Sequence, residues 1–210
     1  MFAISHAATA LVLKRRFPQA PLGGLLLAVQ LPEILWLTLN LAGLEQARAD
    51  MPYSHSVASV LVLAFAAWLL LEKVLRRHVL GGAFAAGIVS HLVLDLILHG
   101  EAIVLAPGMS TVHLGLGLNE IPPLAISAAI AYGLLCWMIF GGGKALLAVL
   151  VFLNLAALSF LQSPFAGEPH LMLAAVAVEV PVVLMLVWYS SRARAAELEH
   201  PDRRLARAFA

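Results

Sequence analysis

The stretch Val79–His99 reads VLGGAFAAGIVSHLVLDLILH, and its reading decides what kind of protein this is. Apart from His91, Asp95 and His99 it holds only apolar residues, glycines and one serine. At about 1.5 Å per residue, a helix of this length covers about 30 Å, the hydrocarbon thickness of a bilayer. Apolarity is continuous, without the two-residue alternation of a membrane barrel strand. Backbone placed in lipid must satisfy its own hydrogen bonds, so the stretch predicts a membrane-crossing helix.

The rest of the chain repeats the pattern. Leu22–Leu44, Tyr53–Leu75, Ile121–Phe140, Lys144–Leu161 and His170–Tyr189 are apolar runs close to spanning length, and Phe2–Leu13 is a shorter one. Across the 210 residues, 62% are hydrophobic, 12% are charged and the mean hydropathy is +0.94. Soluble domains carry about a quarter charged residues. The expected fold is therefore all-α: a polytopic transmembrane bundle of six long helices plus a short N-terminal helix, giving six or seven spans. No linker divides it, so residues 1–190 read as one domain and residues 191–210 as a charged cytoplasmic tail.

Charge distribution sets the orientation. With the C-terminus in the cytoplasm, threading backwards puts Lys14, Arg15, Arg16, Lys73, Arg76, Arg77, Lys144 and the tail arginines on the inside. All of the thirteen Lys and Arg except Arg48 then share one side, as the positive-inside rule requires. The Lys14–Arg16 cluster follows the first apolar stretch, the reverse of a secretory signal, so that segment is expected to be retained. Net charge is +1, which gives no field to attract nucleic acid. The single cysteine, Cys136, excludes an internal disulfide and reads as packing.

Ionisable side chains inside such helices cost several kcal/mol each and mark sites by default. They are His6, Glu33, His55, His91, Asp95, His99 and Glu179. His91 and Asp95 are four apart, so one face of one helix offers an imidazole and a carboxylate about a turn apart. Continuing that helix turns His99 away by about 80°, toward a supporting position. Counted from the basic ends, Glu33 lies about 16 Å, His91 about 18 Å and Asp95 about 24 Å along their helices. A shared site in the outer half of the bilayer is therefore expected. His6, His55 and His91 each follow a serine (Ser5, Ser54, Ser90), which reads either as support for the imidazole or as small-residue helix packing.

At these residues the chain resembles the bacterial inner-membrane-bound metal-dependent hydrolase family. The resemblance runs in order through Ser5-His6, Pro32-Glu33, Tyr53-Ser54-His55-Ser56, Gly87-Ile88-Val89-Ser90-His91-Leu92-Val93-Leu94-Asp95 and Leu105-Ala106-Pro107-Gly108, over roughly the first 125 residues. The ligand order is similar to that of zinc-dependent phospholipase C enzymes. It implies a hydrolase of phosphoester or lipid-like substrates in a bacterial inner membrane. Three departures stand out: Glu33 occupies a position usually Asp, Leu35 and Trp36 replace a further acid and His, and Ser-His-Ser replaces Thr-His-Ser. Glu still ligates, so these changes leave one metal and count against a two- or three-metal cluster.

The expected chemistry is a divalent ion on His55, His91 and Asp95, with Glu33 and His6 completing the site. Imidazole with carboxylate suits zinc first and iron or manganese next. Glu33 is the candidate general base. Ser54, Ser90, His99, His113 and Glu120 are expected around the site or at its rim, and Glu179 is a further intramembrane acid. The loop Gly100–Glu120 is apolar for a loop and reads either as a lid or as interfacial packing. A metal-free His–carboxylate hydrogen bond also explains His91 and Asp95 taken alone. Two other functions fit the same residues: a non-catalytic membrane subunit, and a proton-coupled carrier using Glu33, Asp95 and Glu179.

Overall fold

The computed structural model describes residues 3–45, 51–99, 103–109, 113–161 and 169–199. They form eight helices, α1 (Ala3–Arg16), α2 (Leu22–Val29), α3 (Leu31–Leu41), α4 (Val57–Leu69), α5 (His78–Leu98), α6 (Pro122–Phe140), α7 (Lys144–Leu161) and α8 (Pro169–Glu199). Between α5 and α6 lies a small antiparallel hairpin, β1 (Ile103–Val104) and β2 (His113–Leu114). Four helices are long and apolar enough to cross a membrane: α4 with the π-turn that follows it, α5, α6 and α8. The pair α2–α3 makes up to five if it counts as one broken span.

That break departs from the single run expected over Leu22–Leu44. The two helices meet at 53°. Proline at position 32 has no N–H to give the Ala28 carbonyl, and its ring crowds the preceding turn. The chain responds with a 3₁₀-type bond from Gln30 N to Leu27 O (3.2 Å), and the ladder restarts with Ile34 N to Gln30 O (3.0 Å). Gln30 fixes the elbow by donating its side-chain amide to Ala3 O at 2.7 Å.

The centre of the bundle is α1, which packs against α2, α5, α6, α7 and α8. Every residue from Ala3 to Leu11 is buried. Small residues (Ala3, Ser5, Ala7, Ala8, Thr9, Ala10) allow neighbouring backbones to come close, the usual device where lipid removes any hydrophobic drive between helices. Its 14 residues make about 21 Å of helix, less than a full hydrocarbon crossing.

The basic clusters gather at one end of the bundle. Lys14 is buried there, donating to Pro18 O (2.6 Å) and Ala20 O (2.7 Å) and pairing with Glu199 (2.6 Å). At the same end Arg194 reaches Phe140 O at 3.4 Å, beside the α6–α7 turn, and Gly24 near the start of α2 faces Phe84 near the start of α5. Ser191, where the charged tail was expected to begin, lies within α8. Ser191 and Ala195 extend the buried stripe Val176, Val180, Val183 and Val187, so α8 continues unbroken to Glu199. Arg48, Arg203, Arg204 and Arg207 lie outside the described residues.

The hairpin region packs down as well. Ile103 and Val104 are buried, Ile103 among Val60, Ala64, Ile88 and Leu92. Backbone bonds from Ala58 N to Leu105 O, Leu116 N to Leu96 O and Gly117 N to His99 O hold its flanks.

Where α2 crosses α5, an added Cβ on Gly87 meets Ala28 Cβ at 3.0 Å, while one on Gly82 meets nothing within 4 Å. Gly87→Val is expected to force the helices apart at a cost of about 1–3 kcal/mol. Gly82→Ala should be neutral or slightly stabilising, since helical glycine costs about 1 kcal/mol relative to alanine. Thermal unfolding of the two variants in one detergent checks this; equal midpoints would contradict the close crossing.

Candidate metal centre

Five ionisable side chains from four parts of the chain converge. His91 and Asp95 come from consecutive turns of α5, and His91 Nε2 lies 3.0 Å from Asp95 Oδ2. One helix-turn before them, Gly87 brings α5 against α2, and this approach lets His91 Nδ1 reach Val29 O at 2.6 Å. That carbonyl sits at the elbow, just before the point where the α3 ladder begins. A carbonyl only accepts, so Nδ1 carries the proton of the bond, and the ring turns Nε2 toward the acids.

The elbow also delivers Glu33, in the first turn of α3. Its Oε1 lies 3.4 Å from His91 Nε2 and 3.3 Å from His55 Nε2. His55 ends the turn that precedes α4. Ser56 caps that helix by accepting from Ser59 N, and Ser54 Oγ holds His55 Nδ1 at 2.8 Å. His6, from the first turns of α1, lies 3.3 Å from Asp95 Oδ1. Its ring stacks on His91, with centroids 3.8 Å apart and planes within 15°. All five residues are at most 1% exposed.

The separations discriminate between a hydrogen-bonded network and a coordination shell. Charge-assisted N–H···O bonds close to about 2.7–2.9 Å. Of the five contacts among these residues four are 3.3–3.7 Å, and only the fifth, His91 Nε2 to Asp95 Oδ2 at 3.0 Å, approaches that range. Metal–ligand bonds of 2.0–2.2 Å at tetrahedral angles separate ligands by roughly 3.3–3.6 Å. His6, Glu33 and His91 form one group of donor atoms all within 4.8 Å of each other, and His55, His91 and Asp95 form a second. His91 belongs to both.

Hydrogen-bond accounting agrees. Of the twelve buried side-chain polar atoms without a hydrogen bond among the described residues, six belong here: both His6 nitrogens, Glu33 Oε2, His91 Nε2 and both Asp95 oxygens. Natural proteins leave few such atoms, and a cluster of them asks for an ion or water. Among the described residues no Lys or Arg pairs with Glu33 or Asp95. Two carboxylates with neutral imidazoles carry two negative charges, which a divalent cation cancels. The donor set fits a metal.

Other expected members fall in different places. His99 does not continue the helical row: it leaves the helix in extended backbone (φ −85°, ψ 140°), which swings Nε2 to 3.7 Å from Asp95 Oδ1 with 17% of the side chain exposed. Ser90 turns back to Gly87 O (2.7 Å) and does not support a ligand; Ser5 Oγ is buried without a partner. Only Ser54 holds its neighbouring imidazole. Glu120 is exposed in a 3₁₀ turn. His113 pairs through its backbone with Val104, and its side chain lies outside the described residues. Glu179, half-buried on α8, is not among the grouped ligands.

Sequence reading missed Glu45. Its buried Oε1 accepts from Tyr53 N (3.0 Å) and Ser54 N (3.3 Å), holding the turn that carries His55. The sequence signal was faint: one acid just beyond an apolar run.

No protein-family model, no curated protein and no solved structure matches this chain.

The centre is expected to hold metal near stoichiometrically after purification in detergent. His91→Ala and Asp95→Ala should each retain less than a tenth of it. Ser54→Ala should weaken affinity by about 10–100-fold, as loss of a ligand's hydrogen-bond partner typically does, whereas Ser90→Ala should leave it unchanged. Elemental analysis with competitive chelation reads all four; equal metal in wild type, His91→Ala and Asp95→Ala would remove the centre.

Proposed function

We propose that this chain is a membrane-embedded, metal-dependent hydrolase acting on a phosphoester or lipid-like substrate. The carrying observation is the convergence of three imidazoles and two carboxylates, buried, without cationic partners and spaced as ligands. The resemblance of their motifs to the inner-membrane-bound metal-dependent hydrolases supports the reaction class. Lewis-acid activation of water near neutral pH is the chemistry such an ion supplies.

The chain's own residues divide the work. His6, His55, His91 and Asp95 hold the ion. Val29 O fixes the His91 ring, and Ser54 fixes that of His55. Glu33 stands between His55 and His91 with Oε2 free of hydrogen bonds, and we assign it the proton-accepting role. His99 is the more exposed imidazole beside Asp95, placed to exchange protons with the surface. The mixed nitrogen and oxygen donors favour zinc, then iron or manganese.

The proposed setting is a bacterial inner membrane, crossed six or seven times with the C-terminus in the cytoplasm. Support comes from the gathering of Lys14, Lys144 and Arg194 at one end of the bundle and of the cluster toward the other. The site then works from the outer half of the bilayer.

Metal-loaded wild type is expected to cleave chromogenic phosphodiesters or fluorogenic phospholipids in mixed micelles, with activity lost on chelation and regained with zinc. Glu33→Gln should lower the rate by about 10²-fold or more, the usual scale of a positioned base, while keeping most of the metal. Hydrolysis no faster than that of the free ion, across both substrate types, would leave the non-catalytic subunit as the better reading. A C-terminal fluorescent fusion that matures only in the cytoplasm should light up; a dark but stably produced fusion would invert the proposed topology.

A further inference from the structure

Each of the five clustered residues is at most 1% exposed, so a substrate needs a route in. Glu33 is the member that provides one. Besides facing His55 and His91, it lines a cavity of about 250 Å³ between α3 and α8. All other lining residues are apolar, among them Leu37, Ala177, Val180, Pro181 and Leu184. The volume is smaller than the roughly 300–1,000 Å³ of sites for drug-sized ligands, which suits a slender chain better than a bulky head group.

The position of the mouth identifies the occupant. Ala177 and Pro181 line the cavity and are themselves exposed, within the span assigned to α8. Their exposed neighbours Val178 and Met185 are side chains for hydrocarbon contact. The mouth therefore faces acyl chains and not water. The inner end is polar, with Glu33 carrying a buried oxygen free of hydrogen bonds. Pro181 also has no N–H to donate to the Ala177 carbonyl, so the wall carries one backbone acceptor without its usual helical donor.

We propose that this groove admits the hydrocarbon chain of a bilayer lipid sideways from the membrane, bringing the phosphate-bearing end of that lipid to Glu33 and the metal centre. The inference rests on the metal-centre reading and deepens it: the substrate class becomes a membrane lipid, and Ala177, Val180 and Leu184 become the residues that select for an apolar chain.

The test uses the full chain, zinc-loaded in one detergent, with methylphosphonate and dodecylphosphonate as probes and binding followed by calorimetry. Wild type is expected to bind dodecylphosphonate at least tenfold more tightly than methylphosphonate. Ala177→Trp, which fills the mouth from an exposed position, should cut that preference below threefold while metal content and methylphosphonate binding persist. Leu184→Phe serves the same purpose should the tryptophan variant lose its metal. No chain-length preference in wild type, or a preference that both variants keep (simple partition into micelles), overturns the groove and leaves the metal centre standing. Wild type that holds no zinc overturns the centre, and the groove as a substrate route falls with it.

Discussion

Two carboxylates, Glu33 and Asp95, lie fully buried with no lysine or arginine paired to either among the described residues, and the rest of the site follows from that constraint. Removing one carboxylate from water costs several kcal/mol even after relaxation. Two of them side by side are tolerated only if positive charge sits between them. A proton on His91 cancels one unit. A second proton, on His6 or on His55, would place another cationic ring 3.8 or 5.4 Å from the first, and the two would repel. A divalent ion cancels both units without that conflict and occupies the gaps left by the 3.3–3.7 Å separations.

The backbone around the cluster is irregular where the cluster needs it. The elbow at Gln30 opens a helix within an apolar segment, a costly act in lipid unless the freed groups find partners. One does: Val29 O accepts from His91. The same elbow directs Glu33 inward. On the facing helix Pro181 interrupts the α8 ladder beside the cavity that Glu33 lines. Two proline-weakened segments thus border one space.

Much of this was legible in the sequence, and the illegible parts share a cause. The i, i+4 spacing of His91 and Asp95 was visible because a helix converts spacing directly into geometry. His6, Glu33 and His55 were visible through the cost of placing them in apolar runs. Their convergence was a matter of tertiary packing, dependent on Gly87 and on the angle of the elbow. Pro32 signalled the elbow, yet Leu22–Leu44 read as one run because hydropathy does not register a bend. The serine pattern held for Ser54 and failed for Ser90, since a serine in a helix can bond back to its own backbone. Val29 O and Glu45 left almost no trace, because a carbonyl has no sequence signature and a loop acid is commonplace.

The central position of α1 explains how such separate parts keep register. The helix carries His6 near one end and Lys14 near the other, about 12 Å apart. His6 is set against Asp95 and His91, while Lys14 is fixed by Pro18 O, Ala20 O and Glu199 at the basic end. Sliding α1 by one turn, about 5.4 Å, breaks both sets of contacts at once and pulls Ala3 O away from Gln30, which secures the elbow. Thr9, hydrogen-bonded to Tyr132 of α6 at 2.8 Å, adds a lateral tie between them. Each contact alone is modest, but all lie on one short rigid rod, so the α5 pair, the Glu33 elbow and the closing end of α8 take their positions from a single element. A helix too short for a full hydrocarbon crossing thereby becomes the part that aligns the site with the basic end.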